Sequence, residues 1–364
     1  MYSNHWGMNL KKETYKRLGD YIQEVNTRNT DLSVKKLMGI NIEKYFMPSV
    51  ANVIGTDLSN YKVVSKNQFA CNLMHVGRDA KIPVALNQGD DIIVSPAYFV
   101  FEVKNSKIIP EYLQLVLKRP EFDRNVWFHT DGDVRGGMDK DGLRDLLIPI
   151  PDPKEQQSIV DQYNAIQKRI ENNKKTIAKL EEAAQAIYRK MFVDDIDTEN
   201  LPEGWRMGHI GDIADFVRGK NITAAQMIPG NVPVVSAGLN PSGYHNTFNV
   251  EGCSVTISSS GVNAGYTRIN YENIWAADCS YYNGQFVNFV YAMLMQHKDQ
   301  VLNLQRGAAQ PHVSPGEVHE IETIVPSIDS ISNYCETVNS FHKFISLLQK
   351  EIKILENINY VTLQ

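Results

Sequence analysis

The chain lacks any apolar run of about 18 residues, the least that carries a helix across a bilayer, so no membrane span is expected. Its opening stretch, MYSNHWGMNLKKETYKRL, has no apolar core of the secretory kind. Cysteine is scarce, and Cys71, Cys253, Cys279 and Cys335 stand apart with no CxxC or Cys/His spacing. Reduced thiols in a cytoplasm fit best, and a zinc site is not expected. Positive charge is also lacking. The net charge is -5, and the balance of Lys+Arg against Asp+Glu is 20 to 19 over 1–153, 8 to 9 over 154–200, 6 to 11 over 201–329 and 3 to 3 over 330–364. A global basic footprint for nucleic acid is therefore absent, and any DNA binding must come from local clusters or from partner subunits. Catalytic parts are missing too: there is no (N/D)PP(Y/F) segment and no Gly-rich cofactor loop after a strand. Asp91 with Glu102-Val103-Lys104 mimics the acidic residue and (D/E)xK triplet of metal-dependent nucleases. That triplet is common by chance, and Asp278 in the second half is followed by no ExK.

What the chain does have is an internal duplication. With 364 residues, 43% hydrophobic and 22% charged, it is long enough for two soluble domains. Ile159, Tyr163, Ile166, Ile170, Asn173, Ile177, Leu180, Ala184 and Ile187 alternate steps of four and three. Tyr334, Val338, Phe341, Ile345, Leu348, Ile352, Leu355, Asn359 and Thr362 repeat that pattern at a constant shift of 175 residues. Such a seam keeps an apolar stripe on one partner helix, as in a coiled coil. The first helix is followed by a whole domain before the second begins, so an antiparallel pairing with one head at each end is expected. Packing of each helix on its own head is the alternative. Asn173, at a seam position, suits either a residue that fixes register or a simple imperfection of the seam. The repeat reaches into the heads: Arg17–Ile22 resembles His209–Ala214 at a shift of 192, and Gly77 and Ala80 match Gly261 and Ala264 at 184. The shrinking shift gives the first head about 17 extra residues, assigned to loops.

Segments 91–95, 98–103 and 254–258 are short, β-branched or aromatic and bounded by turn residues, which predicts strands. Residues 110–118 (PEYLQLVLK) predict a helix with Pro near its start and one apolar face; 289–300 is its expected equivalent. Each head is then a mixed α+β domain. Pro149, Pro151 and Pro153 stiffen the exit from the first head into Glu155-Gln156-Gln157, a good first helical turn. The expected division is a head at 1–153, a helix and linker at 154–200, a second head at 201–329 and a second helix at 330–364.

Residues 146–157 (LLIPIPDPKEQQ), a head ending in an IPxP-type segment before a long helix, resemble the specificity subunit of type I restriction-modification enzymes. The second head resembles a target recognition domain of that family through LPEGW at 201–205, IGD at 210–212, VPVVSAG at 232–238, SSSGVNAGY at 258–266 and RGAAQPHV at 306–313. The first head departs from it, with GDVRGGM at 132–138 and VGRDAKIP at 76–83. The resemblance covers essentially the whole chain. It implies an α+β fold class in which two target recognition domains are separated by an antiparallel two-helix coiled coil. It implies a non-catalytic subunit that binds an asymmetric two-part sequence in double-stranded DNA, with an unread spacer set by the helices. The implied partners are two methyltransferase subunits and, in the full enzyme, restriction subunits. S-adenosylmethionine, ATP and Mg would reside in those partners, and no cofactor in this chain.

On that reading the candidate DNA-binding residues of the second head are Ser260, Asn263, Tyr266 and Arg268, then Arg218, Lys220 and Asn221, and then Gln310 and His312. Asn suits adenine and Arg suits guanine, while Arg and Lys also suit phosphate. In the first head the candidates are Arg78, Asp79, Lys81 and Arg135. Gly261 and Gly265 serve either close approach to phosphate or a tight turn. Trp127, Phe128 and His129 fit the core better than a stacking platform. The contrasting reading, which the acidic second head favours, is a coiled-coil adaptor with two protein-binding heads.

Overall fold

The structure is a computed structural model, and it describes residues 14–49, 55–74, 76–130, 137–305 and 311–362. Two compact units are present: Met1–Glu171 with Lys353–Gln364, and Asn172–Ile352.

The first unit holds a four-stranded antiparallel sheet in the order Ile22–Glu24, Phe99–Val103, Phe69–Cys71, Val84–Leu86. The second holds Val217–Arg218, Cys279–Tyr282, Ser254–Ser258 and Thr267–Asn270 in the corresponding order, also antiparallel. Each unit also brings an early strand against the last strand of its head. Tyr15–Arg17 pairs with Leu147–Pro149, and Arg206–His209 pairs with Glu322–Val325. The duplication read from the sequence is therefore a duplication of strand order, with the short helices Lys140–Asp145 and Pro315–His319 in matching places.

In the first unit the sheet is packed by aromatic residues, Phe69 lying flat on Phe101 at 4.9 Å. The helix Pro110–Lys118 forms with Pro110 in its first turn, as the sequence predicts, but its burial exceeds the one apolar face expected. Gln114 and Leu115 are buried along with Tyr112, Leu113, Val116 and Leu117, so the helix is enclosed on nearly all sides. Gln156 fixes the start of the first long helix, Pro153–Phe192. It is fully buried; its carbonyl accepts from the Ile109 amide at 2.9 Å, and its amide donates to the Lys107 and Pro151 carbonyls, both at 2.8 Å. A buried amide so satisfied costs little and sets the exit direction of the chain.

In the second unit the end of that helix and the start of the second long helix, Ile328–Thr362, run in opposite directions against each other. The Tyr334 hydroxyl donates to the Ala184 carbonyl at 3.2 Å, and Asn173 Nδ2 donates to Glu351 Oε2 at 2.9 Å. As numbers rise on one helix they fall on the other, so the pairing is antiparallel. Of the seam residues, Ile159, Ile170, Asn173, Ile345, Leu348 and Ile352 are buried, and Ile166, Ile177, Leu180, Phe341 and Leu355 are half-buried. The two packing modes weighed from sequence occur together. Ile159 and Val160 enter the core of the first head, while Ala184, Tyr188, Phe192, Tyr334 and Val338 enter that of the second. There Tyr188, Phe192, Phe289 and Tyr334 form one aromatic cluster, on which Trp205 of the LPEGW segment stacks.

Two expectations are corrected. The helix expected over 289–300 is two helices, Val287–Gln296 and Lys298–Asn303. They break at His297, whose ring is held between Gln300 Oε1 at 2.7 Å and Thr323 Oγ1 at 3.0 Å. Trp127 and Phe128 are not core: they are 53% and 80% exposed, because Phe122 and Val126 present the inward face of the helix Pro120–Phe128. Among the described residues no helix is long and apolar enough to cross a membrane.

Candidate nucleic-acid interface

Four loops of the second head meet at the ends of its two central strands, Ser254–Ser258 and Cys279–Tyr282. The first follows Val217–Arg218: the Gly219 amide donates to the Cys279 carbonyl at 2.8 Å and the Lys220 amide to that of Ala276 at 2.9 Å. Trp275 Nε1 closes the seat by donating to the Lys220 carbonyl at 2.8 Å. Only glycine fits at 219, since a Cβ there would collide with the Ala276 and Ala277 carbonyls. Arg218, Lys220 and Asn221 are left exposed.

The second loop is Ser260–Tyr266. Gly261 and Gly265 adopt positive φ, +73° and +80°, so they serve the tight turn Gly261–Asn263. The turn closes where the Tyr266 amide donates to Asn263 O at 2.9 Å and the Gly265 amide to Ser258 O at 2.8 Å. Val262 at its tip is 89% exposed. The third loop carries His312, which bridges Ser260 in an antiparallel pair; the Gly261 amide donates to Pro311 O and the Val313 amide to Ser259 O, both at 3.0 Å.

The fourth loop, 236–239, is held by Arg268. Its guanidinium donates to the carbonyls of Ser236 at 3.2 Å, Gly238 at 2.8 Å and Leu239 at 3.1 Å, and lies over the Tyr266 ring at 5.7 Å. Burial pulls its pKa below the ordinary value, a cost that three carbonyl dipoles offset. In this arrangement Arg268 builds the loop. Ser258 Oγ adds a bond to Ala237 O at 3.1 Å.

The sequence-predicted residues Arg218, Lys220, Asn221, Ser260, Asn263, Tyr266, Arg268 and His312 thus fall on one loop cluster. Gln310 and Arg135 lie outside the described residues. In the first head Arg78 and Asp79 sit on the helix Val76–Asp79, which occupies the same interval between strands as the Gly261–Asn263 turn. Lys81 pairs with Glu43 at 2.8 Å, a surface bond of small energetic weight. Leu239 and Asp278 belong to the second-head cluster but carry no motif that sequence reading could have used.

Among the described residues, the cluster holds no set of groups fit for covalent chemistry. Burial pushes the Cys279 thiol up to about 12, which leaves it a poor nucleophile. Among the described residues no group of three His, Cys, Asp or Glu side chains is placed to hold a metal. The nuclease-like triplet is committed elsewhere. Glu102 accepts from Gln23 and Gln68 at 2.7 and 2.9 Å, and Lys104 donates to Gly19 O at 2.7 Å.

Two stretches of the chain, 12–182 and 202–357, match the family described as "Type I restriction modification DNA specificity domain". The chain is 22% identical over 317 residues to the MjaIX type I restriction enzyme specificity subunit of Methanocaldococcus jannaschii, covering 77% of this chain and 71% of that one. It is 26% identical over 186 residues to the HindI specificity subunit of Haemophilus influenzae, covering 49% of this chain and 40% of that one. Among solved structures the S subunit of a type I system from M. genitalium aligns with a TM-score of 0.59 and 16% identity over 98% of this chain and 97% of its own, a likeness of fold. The duplicated heads, each carrying one of the two matched stretches, place this chain in the type I restriction-modification DNA specificity family, whose role is DNA sequence specificity and not catalysis.

Proposed function

We propose that this chain reads a two-part target in double-stranded DNA, one part per head, with the helix pair setting an unread spacer between them. The observation that carries the reading is the second-head loop cluster. Exposed Arg218 and Lys220 suit phosphates, and the polar tips of Asn221, Asn263 and His312 suit base edges. We further propose that two methyltransferase subunits, and restriction subunits in the full enzyme, assemble on the chain in the cytoplasm. They would supply S-adenosylmethionine, ATP and Mg, none of which this chain would hold.

The test is exchange of residues 201–329 for the second head of another specificity subunit, followed by mapping of modified bases. One half of the methylated sequence should change and the other stay. Simultaneous change of both halves refutes independent reading. The adaptor alternative, which the 6-to-11 charge balance of residues 201–329 favours, predicts no affinity for duplex DNA. A DNA reader loses affinity steeply with salt as counterions are released.

A further inference from the structure

We propose that Asp278 is a base-reading carboxylate of the second head, accepting a hydrogen bond from the exocyclic amino group of a cytosine, with Ser260 as its positioning residue. The inference rests on the reading of this loop cluster as a DNA-facing surface.

Asp278 lies at the centre of that cluster. Its carbonyl accepts from the Ser259 amide at 3.2 Å, and its neighbours Ala277 and Cys279 are bonded to the 236–239 and 219–221 loops through Val235 and Gly219. The Ser260 hydroxyl donates to Asp278 Oδ2. This bond occupies one carboxylate oxygen and aims the other, Oδ1, for which the described residues supply no partner. The group is half-buried, so its orientation is constrained while its edge remains reachable. Arg218 and Lys220 stand on the adjacent loop, yet neither is within ion-pair distance of it among the described residues. Elsewhere in this head, Asp212 is neutralised by Arg206 at 2.8 Å.

A bare carboxylate in the middle of a DNA-facing surface is repelled by phosphate and gains only where it meets a donor. In the major groove the donors are the amino groups of cytosine and adenine. Adenine sets the N7 acceptor beside its amino group, opposite the second carboxylate oxygen. Cytosine sets a C–H there, so a carboxylate prefers cytosine, whereas an amide, with one donor and one acceptor, prefers adenine. Ser260, by holding Oδ2, turns a general negative charge into a directed acceptor.

The experiment uses the full chain co-expressed with its methyltransferase subunits and a random-sequence duplex library. Wild type should select cytosine at one position of the half assigned to residues 201–329. D278N should lose that preference by roughly tenfold and gain adenine at that position alone. D278E should retain cytosine, and S260A should blunt the preference without changing the base. The inference is overturned if folded D278N, or D278E should the amide variant not fold, binds DNA with cytosine respectively still preferred or lost. The surface reading has its own control in the exposed pair R218A/K220A. If that variant keeps wild-type DNA affinity and salt dependence, the cluster does not face DNA and both claims fall. If it weakens binding while D278N leaves every base preference intact, only the assignment of Asp278 falls.

Discussion

Acidification should destabilise the second unit through one histidine. His342 on the second long helix is 5% exposed, and its Nδ1 lies 2.8 Å from the Tyr271 hydroxyl. It lines a pocket of about 420 Å³ with Cys253, Asn288, Asn339 and Lys343. Burial lowers its pKa to about 4. An unfolded imidazole titrates near 6.5. Between those values the unfolded chain binds a proton that the folded chain does not, so stability falls as pH falls. From about pH 7.5 to about pH 5 the loss is about 2 kcal/mol, and it approaches about 3 kcal/mol below both values. The assay is urea unfolding at the two pH values for wild type and His342→Gln, since the double difference cancels every other titrating group. Equal pH losses in the two proteins, or an imidazole that titrates near 6.5 by NMR, refute the argument.

Three further substitutions test the architecture. Asn359 is buried at the seam with neither side-chain polar atom bonded among the described residues, so Asn359→Leu should raise stability by about 1–3 kcal/mol, read as a higher melting temperature. Arg268→Lys should not replace the guanidinium that bonds three carbonyls; hydrogen-exchange protection over 236–239 should drop by roughly tenfold, and unchanged protection would show that the loop stands without it. Gly219→Ala forces a methyl onto the Ala276 and Ala277 carbonyls and should cost more than about 2 kcal/mol, whereas a neutral effect on urea unfolding would show that the loop yields.

The long helices were legible because four-three periodicity is a property of one chain segment; Pro153–Phe192 begins within a residue of its expected start. Ser254–Ser258 was also legible, as β-branched residues between turn formers can hardly be anything else. What escaped depends on partners remote in sequence. Nothing around Lys44 shows that its φ is +65°, or that its ammonium is buried against Asp123 Oδ1 at 2.7 Å and the Leu117 carbonyl at 2.5 Å. Arg268 looked like a base reader because its composition is that of one. Only the placement of the 236–239 carbonyls shows how the side chain is used. A lone acidic residue such as Asp278 has no signature of base reading in the sequence, because its bond with Ser260 exists only in the fold. Trp127 and Phe128 show the converse, where aromatic identity suggested an interior that the helix phase denies them.

The loops of the second head are moored largely by main-chain atoms: Gly219 to Cys279, Lys220 to Ala276, Gly261 to Pro311, Val313 to Ser259, Gly265 to Ser258. Amide and carbonyl groups are common to every residue, proline's missing N–H apart. Side chains at the tips are consequently free to be rewritten without unpicking the knot beneath them. A lineage under pressure to alter its target sequence could do so by point substitution at 218, 220, 221, 262 and 263, keeping the scaffold's melting behaviour nearly constant throughout.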